Sequence, residues 1–206
     1  SNLVGTDPTG TIDEGNDVGI LLEDSPNNTI GGTAANQGNV ASGNDNANIQ
    51  LTGRGSTGNL IQNNVIGLAA GGLTRLQNQH VNNPNLIPTD PERLTDQRSR
   101  IGLLVSDASG NNIVANTITD NRIGAQFYLS NANVMTSNLV GLNSAGQVVG
   151  PGQGINSSGN DFGIFINNAP GNQIGLPGQG NSISGNQQVG IELFGAGATG
   201  NVIQGN

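Results

Sequence analysis

Four acidic residues stand close together in the stretch GTDPTGTIDEGND (5–17): Asp7, Asp13, Glu14 and Asp17. Carboxylate oxygens gathered on one loop are the hard ligands that calcium takes. Calcium is accordingly the one cofactor that the residue types suggest, with these four as its candidate ligands. The stretch has neither EF-hand spacing nor a glycine-aspartate nonapeptide, so solvated turn carboxylates are the competing reading. A second group is aromatic and amide-bearing. In Gln126-Phe127-Tyr128, Phe165-Ile166-Asn167 and Glu192-Leu193-Phe194 the residues alternate. If the middle residue of each triplet points inward, Gln126, Tyr128, Phe165, Asn167, Glu192 and Phe194 share one outer face. Rings beside amides and a carboxylate can stack on sugars and bond their hydroxyls.

Signals for catalysis are weaker. Hydrolysis or elimination at a sugar needs two or three converging carboxylates, or carboxylates with a base. Arg122 with Asp45 and Asp120 is the nearest approach, and surface ion pairing accounts for that trio equally well. Glu23, Asp24 and Asp107 fall in or beside turns. His80, the sole histidine, sits in an Asn-rich stretch with no neighbour that fixes a role. No catalytic residue is assigned.

These residues are positioned by a repeat. In NNIVANTITDN, residues 111–121, Asn111 is followed by Ile113, Asn116, Ile118 and Asn121. Asn59/Ile61/Asn64/Ile66 and Asn133/Met135/Asn138/Val140/Asn143 fit the same template, and Asn201/Ile203/Asn206 fits its first part. A second unit, apolar-Gly-apolar-x-apolar, precedes each copy at Val18–Leu22, Ala47–Leu51, Ile101–Val105, Ile123–Phe127, Phe162–Ile166 and Val189–Leu193, with Asn48 in place of glycine in the second. Six residues separate this unit from the template asparagine in four copies and eight in the other two. Constant spacing of this kind marks an internal repeat.

Each unit alternates over about five positions, which is strand periodicity. The shortest repeat, Gly102 to Gly124, is too short for strand-plus-helix units. Asn-Gly, the strongest short hairpin signal, is absent, whereas Gly-Asn recurs. Bends without hairpins make each strand pair with its counterpart one repeat on. The expected fold is all-β: a single-stranded parallel β-helix of about six coils, three short strands per coil, forming one segment over 1–206. Stacked asparagines would bond to one another as amide ladders. The leanest coil would turn Ile101, Leu103, Val105, Ile113 and Ile118 inward. Long loops after Val4-Gly5, Ile66-Gly67 and Val140-Gly141 would leave one corner at every second coil. The insertion 67–100 carries Thr89-Asp90-Pro91-Glu92, a helix-start signal, which predicts a short helix near 91–97.

The chain resembles the right-handed parallel β-helix repeat proteins, large bacterial secreted or surface proteins with runs of the type NxIGTDxTGT, GNxxGIxL and NNTIGG. Asn2–Thr11, Gly15-Asn16, Gly19–Leu22 and Asn27–Gly32 carry the likeness, with weaker echoes at Gly163–Gly175 and Gly200–Asn206. It extends over nearly all of the chain except 68–100. The resemblance implies right-handed coiling and an extracellular or cell-surface location. Function does not follow from it, because the scaffold also carries pectate lyases, polygalacturonases, alginate epimerases, phage tailspikes and adhesins. The epimerase motif Asp-Pro-His is missing: Asp7-Pro8 and Asp90-Pro91 continue with Thr and Glu.

Charge narrows the partners. A formal charge of −8, with every basic residue an arginine, argues against nucleic acid, which is held through phosphate contacts from basic side chains. No apolar run reaches membrane-spanning length, so membrane insertion is not expected. Cysteine is absent, which excludes disulfides and thiolate metal sites. Asn206 repeats the phase of Asn2, so the chain is expected to be part of a longer array or to associate end to end. The function expected is that of a structural and adhesive rod displaying loops and binding a polysaccharide or cell-surface glycan. The alternatives are a polysaccharide lyase, hydrolase or epimerase-like enzyme and a calcium-stabilised filament subunit.

Overall fold

The structure, a computed structural model, describes residues 1–34, 36–77, 98–149 and 159–206. The helix expected near 91–97, and His80, lie outside the described residues. Among those described the fold is a parallel β-helix of eighteen short strands in three six-stranded sheets. One sheet holds β1 (Leu3–Val4), β4 (Val40–Ala41), β7 (Val65–Ile66), β10 (Thr117–Ile118), β13 (Leu139–Val140) and β16 (Ser182–Ile183). The second holds β2 (Val18–Glu23), β5 (Ala47–Thr52), β8 (Ser99–Ser106), β11 (Asn121–Tyr128), β14 (Phe162–Asn167) and β17 (Val189–Phe194). The third holds β3 (Thr29–Gly31), β6 (Leu60–Gln62), β9 (Asn112–Val114), β12 (Val134–Thr136), β15 (Gln173–Ile174) and β18 (Val202–Ile203). Every strand pairs in parallel with the strand three later in the chain, so each rung of three strands is one coil.

Register places like on like. Ile20, Ile49, Leu103, Ala125, Ile164 and Ile191 form one inward column. Ile30, Ile61, Ile113, Met135, Ile174 and Ile203 form another. Ile113 and Ile118 are fully buried, as the repeat requires. Ile101 is a correction: it is half-buried, stands outside the core cluster and lines a groove on the outer face. In the copies that begin at Ile101, Ile123 and Phe162 the glycine is buried and its first apolar neighbour lines this groove.

Bends are held by three asparagine ladders. In one, Asn28, Asn59, Asn111, Asn133 and Asn172 each donate both the backbone N–H and Nδ2 to Oδ1 of the next, ending on Asn201, at 2.8–3.3 Å. The second runs Asn2, Asn39, Asn64, Asn116, Asn138, Asn181, Asn206 in the same way. The third joins Asn16 to Asn44 and Asn121 to Asn160 to Asn186. Asn143, which fits the template by spacing, is not in this ladder; Asn160 takes that place. The Oδ1 atom of Asn143 instead accepts N–H from Ala145 and Gln147 inside the following loop.

Between Asn44 and Asn121 the third ladder meets Ser99, which pairs in register with Asn121. The gap is closed by Asn48, the residue that replaces glycine. Its Oδ1 accepts from the N–H and Nδ2 of Asn44, and its own Nδ2 donates to Asn121 at 2.9 Å. In the copies at Gly102 and Gly124 this position has no room for a side chain: a Cβ at Gly102 would meet Asn121 Nδ2 at 2.8 Å, and one at Gly124 would meet Asn160 Nδ2 at 2.8 Å. Loops after β1, β7 and β13 leave one corner at every second coil and stack on one another. Ala70 donates to the Gly10 carbonyl and Ser144 to the Gly72 carbonyl.

Positions 48 and 99 are therefore exchangeable only as a pair. Asn48→Gly should destabilise by about 2–4 kcal/mol through stranded donors, and Ser99→Asn by about 1–3 kcal/mol through crowding against Asn48. The double variant, which restores the ordinary Gly/Asn arrangement, should lie within about 1 kcal/mol of the parent in denaturant unfolding. Additive losses would show that the two sites are independent.

Candidate functional site

The outer face of the second sheet carries the candidate site. The first outward column reads Leu21, Gln50, Leu104, Gln126, Phe165, Glu192, and the next reads Glu23, Thr52, Ser106, Tyr128, Asn167, Phe194. All six residues expected to form the glycan platform thus lie on adjacent rungs of one surface, at two neighbouring columns. Tyr128 is 39% exposed and Phe194 55%. The ring centroids of Phe165 and Phe194 are 6.1 Å apart and tilted by 45°, and those of Phe162 and Phe165 are also 6.1 Å apart. This range is that of attractive aromatic pairs. Phe127, the remaining phenylalanine, is fully buried in the core.

Beside this ridge lies a groove of about 470 Å³. Ile101, Ile123 and Phe162 supply the apolar part of its lining. Arg100, Arg122 and Asp161 supply the charged part. Carboxamides of Asn46, Gln126 and Gln188 complete the lining. Phe162 belongs to both features, so ridge and groove form one continuous surface. Arg100 and this groove escaped the sequence reading, although the signal was present: Arg-Ile-Gly occurs at 100–102 and again at 122–124.

Of the trio Arg122, Asp45 and Asp120, Asp120 is ion-paired with Arg75 at 3.1 Å, from the second loop. Asp24 and Asp107 occupy bends at φ 45° and 51°, and Asp24 Oδ1 accepts the N–H of Gly55.

The acidic loop is organised from within. Asp7 is buried; its Oδ2 accepts the Thr9 hydroxyl at 2.6 Å and the Thr9 N–H, and its Oδ1 accepts the N–H groups of Thr11 and Ile12. Asp13, also buried, accepts the Gly15 N–H. Glu14 and Asp17 are exposed. Among the described residues no three His, Cys, Asp or Glu side chains are grouped to hold a metal ion, so the four acids do not converge. The Thr9 hydroxyl, assisted by the three backbone donors and opposed by burial, brings the Asp7 carboxyl down from 3.8 to about 2.

No protein-family model, no curated protein and no solved structure matches the chain.

Because the folded value of Asp7 lies below its ordinary one, the stability it supplies is complete above pH 3.8 and drains as pH falls toward 2. In that window the melting temperature of the parent should fall more steeply than that of Asp7→Asn, which keeps one acceptor but cannot titrate. Parallel curves would show that the carboxylate does not organise the loop.

Proposed function

We propose that this chain is a rigid structural and adhesive segment of an extracellular or cell-surface protein, and that it binds glycan on the outer face of its second sheet. The observation that carries this reading is the distribution of aromatic residues. The only tyrosine and three of four phenylalanines stand together on one outer face, interleaved with Gln126, Asn167, Asn46 and Gln188, while folding is served by inward aliphatics and asparagine ladders. An exposed ring such as Phe194 adds little to a core it does not touch, but a sugar ring can stack on it while amides bond the hydroxyls.

Binding is favoured over hydrolysis by the acids present. A pair of carboxylates must flank a scissile glycosidic bond, whereas Asp161 is the one carboxylate among the described residues that line the groove, and it is held by Arg98. Stacked, unbroken coils suit a rod, because each coil is braced by its neighbours.

Tyr128→Ala and Phe194→Ala should each weaken glycan binding about tenfold, equivalent to about 1.4 kcal/mol, with melting temperatures unchanged because both rings are exposed. Glycan-array screening followed by calorimetry checks this. Undiminished affinity in both variants, or a silent array with the parent, removes the reading.

A further inference from the structure

The chain leaves the second sheet through the same bend on every coil, and the first residue of that bend is left-handed. These residues are Asp24, Gly53, Asp107, Leu129, Asn168 and Gly195, with φ between 45° and 85°. Hydrogen bonds establish their equivalence: Asp24, Gly53, Asp107, Leu129 and Asn168 each donate N–H to the carbonyl that precedes the bend on the next coil. Glycine, asparagine and aspartate accept this backbone readily, whereas a bulky apolar residue is strained in it. Leu129, at φ 49°, is the one large apolar residue with positive φ among the described residues. It is also 46% exposed, so burial in the core does not account for it. Strain of this kind gathers at ligand sites.

On other coils the side chain at this bend has local work. Oδ1 of Asp24 accepts the N–H of Gly55, and Oδ1 of Asn168 accepts the N–H of Gly197, in each case two residues past the bend residue of the next coil. For Leu129 that place is held by Pro170, which has no N–H to cap. Position 129 is thus released from capping. Asn168 in turn fixes its neighbour. Because its Oδ1 takes the Gly197 N–H, its Nδ2 is the group that donates to Asn167 Oδ1, at 3.0 Å. The Nδ2 of Asn167 is left as the free donor of that side chain. Register sets Asn167 between Tyr128 on the coil before and Phe194 on the coil after.

We propose that Tyr128, Leu129, Asn167 and Phe194 form a subsite for the acetamido group of an N-acetylated sugar. The inference rests on the glycan-binding reading and adds the substituent recognised. An acetamido group carries a carbonyl acceptor and a methyl side by side. Asn167 Nδ2 donates to the carbonyl, Leu129 gives the methyl an apolar contact, and the rings of Tyr128 and Phe194 take the face of the sugar. A neutral acceptor suits the place better than an anion, because Asp107 holds the same bend one coil before Leu129. A hydroxyl there would satisfy the donor but leave Leu129 against water.

The test is calorimetry of the full chain with a hexamer of N-acetylglucosamine and with cellohexaose, which carries a hydroxyl in place of each acetamido group. The N-acetylated hexamer should bind at least about tenfold more tightly. Asn167→Asp keeps the acceptor that Asn168 requires but removes the donor, and should abolish the preference. Leu129→Asn should abolish it too while raising the melting temperature, because asparagine accepts the left-handed backbone. A leucine retained for packing would give the opposite shift. Tyr128→Ala should lower both affinities and leave their ratio. Equal affinity for the two hexamers overturns the inference and leaves the glycan reading standing. A preference that survives both Asn167→Asp and Leu129→Asn overturns the assignment to this subsite. A lower melting temperature in Leu129→Asn overturns the part given to the leucine. If Asn167→Asp does not fold, Leu129→Asn decides the matter alone. If neither hexamer binds, the inference falls, and a silent glycan array then removes the broader reading as well.

Discussion

One hydrogen-bonding unit recurs at the bends of this chain: an asparagine carboxamide oxygen accepts the backbone N–H and the Nδ2 of the asparagine one coil earlier. A bend interrupts the strand ladder and leaves a backbone donor inside the wall, where an unpartnered N–H costs about 1–3 kcal/mol. The stacked carboxamide removes that cost, and its own Nδ2 is satisfied again by a main-chain carbonyl, as Asn116 does with Ile61 and Asn138 with Ile113. Asn59, Asn111, Asn133 and Asn172 are fully buried for this reason. The ladder also sets register. A slip of one residue would carry Ile113 out of the core and Asn111 out of its ladder, so the two patterns enforce each other.

The glycines follow from the same unit. Where a ladder carboxamide lies over the start of a long strand, no Cβ fits beneath it, as at Gly102, Gly124 and Gly163. Where the ladder asparagine is replaced by Ser99, the restriction lifts and Asn48 supplies the missing carboxamide from the glycine position. Inward places are thus consumed by aliphatics, glycines and carboxamides. The outward columns of the second sheet answer to no such constraint, and they are where Leu21, Gln50, Leu104, Gln126, Phe165 and Glu192 differ most from one another.

This division explains what was legible in the sequence. Pattern sufficed for the repeat, the three strands per coil, the ladders and the shared outer face of Gln126, Tyr128, Phe165, Asn167, Glu192 and Phe194, because each depends on spacing alone. Ile101 was misplaced because alternation counts residues evenly, and a glycine under a carboxamide shifts the count: Gly102 and Leu103 both lie inward. Asn143 was misplaced because its spacing suits the ladder while its loop resembles that of Asp7, with a side-chain oxygen accepting N–H groups two and four residues ahead in both. The groove was missed for a different reason. Arg98 is far in sequence from Asp161, and nothing short of register reveals that the two meet and that Arg100 and Arg122 stand at the same position on adjacent coils.

Net charge is a poor guide to such a site. Much of the acidity here is committed locally: Asp7 and Asp13 to loop amides, Asp24 to the Gly55 amide, Asp120 to Arg75 and Asp161 to Arg98. Beyond about 8 Å at physiological salt, exposed charges are largely screened. The charge at any one point of the outer face is therefore set by the side chains that stand there rather than by the whole chain.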